Sequence, residues 1–236
     1  MNPDLQISFI SDDIEMLAKG CPLQYVLEKT TFFDLPLIIN SSVFIPRPET
    51  EELVATICND AANHENVKCM EIGTGSGAIA IALAKNLINA HVWATDISVN
   101  ALDIAKKNAK NSNVNIVFLK HDILKDSIDY LPENFDIIVS NPPYIPQSEK
   151  ENLHKNIVDY EPHNALFVPD EEPLIFYEAI ANIAKIILRS GGLLYFEIHE
   201  KFHLDLFATL SNYHFKEIEF WNDINGKPRF IRCKKL

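Results

Sequence analysis

The stretch Val67-Lys68-Cys69-Met70-Glu71-Ile72-Gly73-Thr74-Gly75-Ser76-Gly77-Ala78-Ile79-Ala80-Ile81-Ala82-Leu83 decides the fold. Val67–Ile72 is an apolar run that ends in glycines, and Ala78–Leu87 carries a helical pattern, so the segment predicts strand, tight turn and helix. Outward from it the same alternation repeats. His91–Ile97 predicts a strand, and Asn100–Lys110 a helix with Leu102, Ala105 and Ala109 on one face. Asn115–Leu119, Phe135–Ser140 and Leu193–Ile198 predict further buried strands, with Leu174–Leu188 a helix before the last. Strands separated by helices imply right-handed crossovers and a mostly parallel, doubly wound α/β sheet. The final pair, His214–Trp221 and Arg229–Cys233 around Asn225-Gly226, predicts a C-terminal antiparallel hairpin, which a plain dinucleotide-binding sheet would lack.

Upstream, residues 12–19 predict a short amphipathic helix, Gly20 to Pro22 an early boundary, and Tyr25–Phe33 with Leu35–Ile45 two extended runs joined at Phe33-Asp34. Asn40-Ser41-Ser42 reads as a turn. Pro48, followed by Glu49, Glu51 and Glu52, suits a helix N-terminus and its dipole, with Leu53, Val54 and Ile57 continuing an apolar face. The expected division is an appendage over residues 1–45, a short helix plus hairpin, and a main α/β domain over 46–236.

The chain has 236 residues, 47% of them hydrophobic, which suits one ordinary domain with a small addition and excludes a disordered tail or a disulfide mini-protein. Twenty-one Lys and Arg against 33 Asp and Glu leave a net charge of −12; the resulting field repels phosphate backbones and argues against a stable nucleic-acid partner. Cys21, Cys58, Cys69 and Cys233 lie far apart with no CxxC pair, and no signal peptide or membrane span is recognisable, so a reducing, cytoplasmic setting without a membrane partner is expected.

Three positions follow from the strand ends. The glycines of Gly73-Thr74-Gly75-Ser76-Gly77 let a backbone turn sharply beneath a helix N-terminus and approach a nucleotide-like cofactor. Gly73-x-Gly75-x-x-Ala78 also satisfies the dinucleotide fingerprint, so the loop alone leaves a nicotinamide and S-adenosylmethionine both open. Asp96 ends the next strand, 23 positions after Gly73, where a carboxylate accepts from both hydroxyls of a ribose; the alternative is a cap of the following helix. Asp122 follows the third strand, placed to accept from an adenine amino group with Ile123 against the ring; the alternative is a solvated loop acid.

Asn141-Pro142-Pro143-Tyr144 stands at the C-terminal end of Phe135–Ser140, where open α/β sheets place ligands. A planar amino group is a poor nucleophile because its lone pair is delocalised, so a site must hold it from both N–H directions. The Asn141 side-chain oxygen can accept one proton and the Pro142 carbonyl the other. Each proline restricts the residue before it to extended geometry, so both acceptors stand in place before substrate arrives. Tyr144 can lie against the planar face of the group.

NPPYIP, GTGSG, Phe44-Ile45-Pro46-Arg47-Pro48-Glu49-Thr50 and Pro22-Leu23-Gln24-Tyr25 together resemble the HemK/PrmC-type protein-(glutamine-N5) methyltransferases, as do Asp159-Tyr160-Glu161-Pro162 and Ala165-Leu166. The resemblance spans Pro22 to Arg232. It implies transfer of a methyl group from S-adenosylmethionine to the glutamine of the GGQ motif in class 1 peptide-release factors. It also implies that Gly73, Thr74, Gly75, Ser76, Gly77, Asp96, Asp122, Ile123 and Asn141 contact the cofactor, and that Asn141, Pro142, Pro143 and Tyr144 hold the glutamine, with Phe44 and Arg47 lining the cavity. Asn141, Pro142 and Tyr144 are the expected catalytic residues, without metal, in a monomeric chain. Related adenine and cytosine amino-methyltransferases share NPPY and are the alternative.

The chain departs from the family in three places. About twenty residues precede Pro22 where a longer helical docking domain is expected, Val168–Pro173 replaces a glycine-containing loop, and Glu197-Ile198-His199 stands where EIG is usual. His199-Glu200-Lys201-Phe202-His203 also matches HExxH, which on one helix would make a metallohydrolase zinc site. Its place after a sheet strand and the lack of a third ligand favour a solvated helix start with His203 near the surface.

Overall fold

The computed structural model describes residues 12–236. Helix α1 covers residues 12–18 and is exposed throughout. It is followed by the single turn α2 (Leu23–Val26) and a hairpin of β1 (Lys29–Phe32) and β2 (Leu35–Ile38). The expected runs Tyr25–Phe33 and Leu35–Ile45 are thus shorter than their apolar spacing suggests. At the first, Pro22 starts a helical turn, and the Tyr25 hydroxyl donates to the Val43 carbonyl at 2.7 Å. At the second, the Asn40 side chain accepts from both the backbone and the hydroxyl of Ser42, a local turn that ends the strand.

Then come α3 (Pro48–Asp60), β3 (Lys68–Ile72), α4 (Ala78–Asn86), β4 (His91–Asp96), α5 (Val99–Asn111), β5 (Ile116–Lys120) and β6 (Phe135–Ser140). The second half contains β7 (Ile145–Pro146), α6 (Lys155–Tyr160), β8 (Phe167–Val168), α7 (Ile175–Ile187), β9 (Leu188–Glu197), α8 (His203–Asn212), β10 (Lys216–Asn222) and β11 (Pro228–Lys234). The main sheet runs β10-β11-β9-β6-β3-β4-β5. β9, β6, β3, β4 and β5 pair in parallel, and β11 and β10 close the far edge as an antiparallel hairpin. The expected doubly wound sheet with its terminal hairpin is therefore present.

Alternation along each strand divides the core between the two faces. Cys69, Ile137, Val139, Tyr195 and Phe230 face α3 and α4 on one side. Met70, Ile72, Ile138, Leu194, Phe196 and Ile231 face α7 and α8 on the other. Full burial of each such aliphatic or aromatic side chain is worth about 1.5–3 kcal/mol. The N-terminal segment packs on α5 through Tyr25, Ile39, Val43 and Ile45 against Ala101 and Ile104. Asn108 of α5 fixes that junction: its amide accepts from the Ile38 N–H at 2.7 Å and donates to the Ile38 carbonyl at 2.8 Å and to the Ser76 carbonyl at 2.9 Å. One buried amide thereby ties the hairpin to the glycine loop.

Between β3 and β6 the chain direction of winding reverses, which opens a crevice at the carboxyl ends of both strands. The Ser140 hydroxyl, at the end of β6, donates to the Ile72 carbonyl, at the end of β3, at 2.6 Å. The loops after the two strands are thereby held side by side.

Candidate active site

A cavity of about 320 Å³ lies over that crevice, within the range of small-ligand sites. Phe44, Gly73, Thr74, Gly75, Ser76, Asp96, Asp122, Ile123, Asn141, Pro142, Pro143 and Tyr144 all line it. Two of the residues named from the sequence do not. Gly77 lies beneath the loop, with φ +85 and an ideal Cβ only 3.1 Å from both Ala105 Cβ and Ile81 Cδ1, so it is required by helix packing. Arg47 turns to Glu161, with which it forms a salt bridge, and its guanidinium lies 4.5 Å from the Phe44 ring centroid. Glu161 also accepts from the Ile45 N–H, so this pair clamps the Phe44 segment to the segment after α6.

The glycine loop is shaped by two acids, Glu71 and Asp96. Glu71, 3% exposed, accepts through one oxygen from the Thr74 hydroxyl and from the Ala80 N–H. Burial, with Asp96 nearby, pushes its carboxyl up to about 8. Asp96 accepts from the Gly75 N–H at 2.9 Å and the Ser98 N–H at 2.8 Å, one on each oxygen. It therefore leaves one lone pair per oxygen toward the cavity, and burial raises its pKa. The helix cap weighed as its alternative role falls to Ser98, whose hydroxyl accepts from the Ala101 N–H. Asp122 caps its own turn by accepting from the Leu124 N–H at 3.0 Å. A Cβ on Gly73 or Gly75 would meet no protein atom within 4 Å, so the loop presents bare backbone to open space.

On the other side of the cavity, a chain of hydrogen bonds joins residues that are remote in sequence. The Asn141 amide nitrogen donates to the Thr50 hydroxyl at 3.4 Å. Thr50 donates to Glu197 at 2.6 Å, and the Tyr144 hydroxyl donates to the other oxygen of Glu197 at 3.1 Å. Burial raises the pKa of both Glu197 and Tyr144. Sequence reading did not single out Glu71, Thr50 or Glu197. Thr50 closes the quoted Phe44–Thr50 motif, and Glu71 begins the loop motif, so a signal existed for both. Glu197 opens the Glu197-Ile198-His199 stretch quoted at a strand end, but the signal of that stretch is its departure at His199, which gives Glu197 no role.

The HExxH match does not form a helix. His199 has φ −74 and ψ 131, and its side chain accepts from the Lys201 N–H to start a 3-10 turn, so α8 begins only at His203. His199 instead packs edge-on against Tyr144, centroids 5.9 Å apart, and meets Glu149 at 3.3 Å. His203, half-buried, packs against Phe220. Among the described residues no group of three His, Cys, Asp or Glu side chains is arranged to hold a metal ion, and no helix is long and apolar enough to cross a membrane.

Residues 49–165 match the family described as "Methyltransferase small domain". Among solved structures the chain is similar to a methyltransferase from Pyrococcus furiosus, with a TM-score of 0.61 at 17% identity over 86% of this chain and 90% of that one. A T. thermophilus 16S rRNA methyltransferase, solved with AdoMet and guanosine, gives 0.62 at 17% identity over 88% of this chain and 50% of that one. Sheet order, glycine loop and matched domain together define a Rossmann-like methyltransferase. Among curated relatives, the release factor glutamine methyltransferase of Flavobacterium psychrophilum is 43% identical over 98% of this chain and 84% of that protein. Its namesake from Bacteroides thetaiotaomicron is 41% identical over 93% and 78%. The chain belongs to the release factor glutamine methyltransferase family.

Proposed function

We propose that this protein transfers a methyl group from S-adenosylmethionine to the side-chain amide nitrogen of the glutamine in the GGQ motif of class 1 peptide-release factors. The observation that carries the reading is that Asn141-Pro142-Pro143-Tyr144 and the loop Gly73–Ser76 line one cavity, locked together by Ser140 and Ile72. Family membership supports the choice of substrate.

The donors and acceptors around the cavity suit the cofactor. Asp96 keeps a free lone pair on each oxygen for two ribose hydroxyls, Gly73 and Gly75 leave room for close backbone approach, and Asp122 with Ile123 offers an acid and an apolar face for a base. When bound, S-adenosylmethionine supplies a methyl already activated by its sulfonium, so the protein needs no strong base and no metal. The chain's own contribution is position: near-attack geometry is worth about 7–11 kcal/mol of barrier. Asn141 Oδ1 and the Pro142 carbonyl accept hydrogen bonds from the two amide N–H groups of the glutamine; as the nitrogen gains its methyl group it gives up one of these protons, which passes to solvent. The two acceptors bind the group more tightly as positive charge grows on its nitrogen, which is the condition for lowering a barrier and not merely binding substrate. Tyr144, held by Glu197, packs beside the group and excludes water.

The test is a transfer assay with labelled S-adenosylmethionine and a purified release factor, with its GGQ glutamine intact or replaced. Label on the intact protein alone, mapped to that glutamine, is expected. Label elsewhere, or retained after the replacement, would overturn the substrate assignment.

A further inference from the structure

The Asn141 amide has two ends of opposite hydrogen-bonding character, and only one of them can accept an N–H from substrate. Which end faces the cavity is decided by Thr50. A threonine hydroxyl has one proton, and here it goes to Glu197 Oε2 at 2.6 Å. Tyr144 fills Oε1 with its own proton, so both Glu197 oxygens accept from a hydroxyl; burial raises the Glu197 pKa, and these two donors with the charge of Arg229 act against that rise. With its proton committed, Thr50 Oγ1 can only accept, so Asn141 must turn its NH₂ toward it, leaving Oδ1 on the other side of the planar amide. Thr50 and Glu197 are 4% and 2% exposed, and the Tyr177 hydroxyl fixes the Glu197 backbone carbonyl at 3.1 Å. The polarity is thus set in a buried, preorganised chain.

We propose that Thr50 and Glu197 are positioning residues that set the orientation of the Asn141 amide through a directional hydrogen-bond relay from Asn141 through Thr50 to Glu197. The inference rests on the role of Asn141 as acceptor of the substrate amide. Thr50 lines the cavity beside Asn141, and Glu197, 2% exposed, lies behind it; both act through the orientation they give Asn141.

The relay makes an isosteric change informative. In Glu197→Gln, the new NH₂ can donate to Thr50, whose proton then passes to Asn141 and draws Oδ1 toward Thr50; the NH₂ of Asn141 would face the substrate N–H. Expected is a fall in kcat of about 10²-fold, as for loss of a preorganised partner in the transition state, with cofactor affinity by calorimetry unchanged. Thr50→Val, which removes the relay without reversing it, is expected to lower kcat about tenfold, and Thr50→Ser to restore it. A second readout does not depend on turnover: the ¹⁵N side-chain amide signal of Asn141, assigned by its loss in Asn141→Ala, should shift in Thr50→Val and Glu197→Gln and keep its place in Thr50→Ser. Wild-type kcat in both Glu197→Gln and Thr50→Val, or an Asn141 amide signal indifferent to both, would overturn the relay. Failure of the functional reading looks different: Asn141→Ala would retain full activity, or the label would fall outside the release-factor glutamine, and the amide spectrum would still decide the relay.

Discussion

Replacing Glu71 by glutamine should change how the stability of this protein depends on pH. Glu71 is almost fully buried beneath the glycine loop. The two groups that stabilise its charge, the Thr74 hydroxyl and the Ala80 N–H, share one oxygen, and among the described residues no cation compensates for the lost water. Its pKa accordingly rises from an ordinary 4.5 to about 8. The folded state therefore holds this proton more tightly than the unfolded chain does. The associated stability is complete below pH 4.5 and is lost as pH rises through 8. The shift of 8 − 4.5 = 3.5 pH units, at about 1.36 kcal/mol each, sets the full loss at about 5 kcal/mol. Glutamine keeps the shape and the acceptor for Ala80 but has no proton to lose. Urea unfolding of both proteins at pH 5, 7 and 9 isolates the term, because all other titrating groups cancel in the difference. The advantage of Glu71→Gln over the wild type should grow by about 2–3 kcal/mol between pH 5 and 7 and continue to rise toward pH 9. A difference that stays constant across the three pH values would refute the argument that Glu71 is neutral in the folded protein.

Three further outcomes follow from the site. Asn141→Ala should lower kcat by about 10²-fold or more while leaving cofactor binding nearly unchanged; near-wild-type methylation would remove Asn141 from the assigned role. Asp96→Ala should weaken cofactor binding about tenfold or more, since two hydroxyl acceptors disappear and the Gly75 and Ser98 N–H groups lose their partner; unaltered affinity by calorimetry would end the ribose assignment. Gly77→Ala should cost about 2 kcal/mol or more, from a left-handed φ together with contact at 3.1 Å against Ala105 and Ile81. A thermal midpoint equal to that of the wild type would show that α4 and α5 can shift apart.

What could be read from the sequence was what depends on neighbours in the chain. Strand β3, the glycine loop and α4 are contiguous, so their periodicities and glycines announce them, and the strand-end rule then places Asp96 and Asn141 at the same edge of the sheet. The relay escaped because Thr50 and Glu197 are 147 positions apart, and nothing in either neighbourhood says that they touch. The HExxH match shows the same limit from the opposite side. Locally, His199 and His203 have the spacing of two metal ligands, but that spacing has meaning only on a helix. The sheet forbids one: β9 pairs with β11 as far as Glu197 opposite Phe230, and the Ile198 N–H continues the ladder by donating to the Arg229 carbonyl at 2.7 Å. His199 thus leaves a strand still extended, and its ring falls beside Tyr144 while His203 turns toward Phe220. The same pairing that dissolves the metal motif carries Glu197 behind the cavity wall, where its carboxylate can reach Thr50 and Tyr144. A carboxylate there is therefore a product of sheet register, and a shift of β9 by one residue would turn Glu197 to the opposite face and take the relay with it.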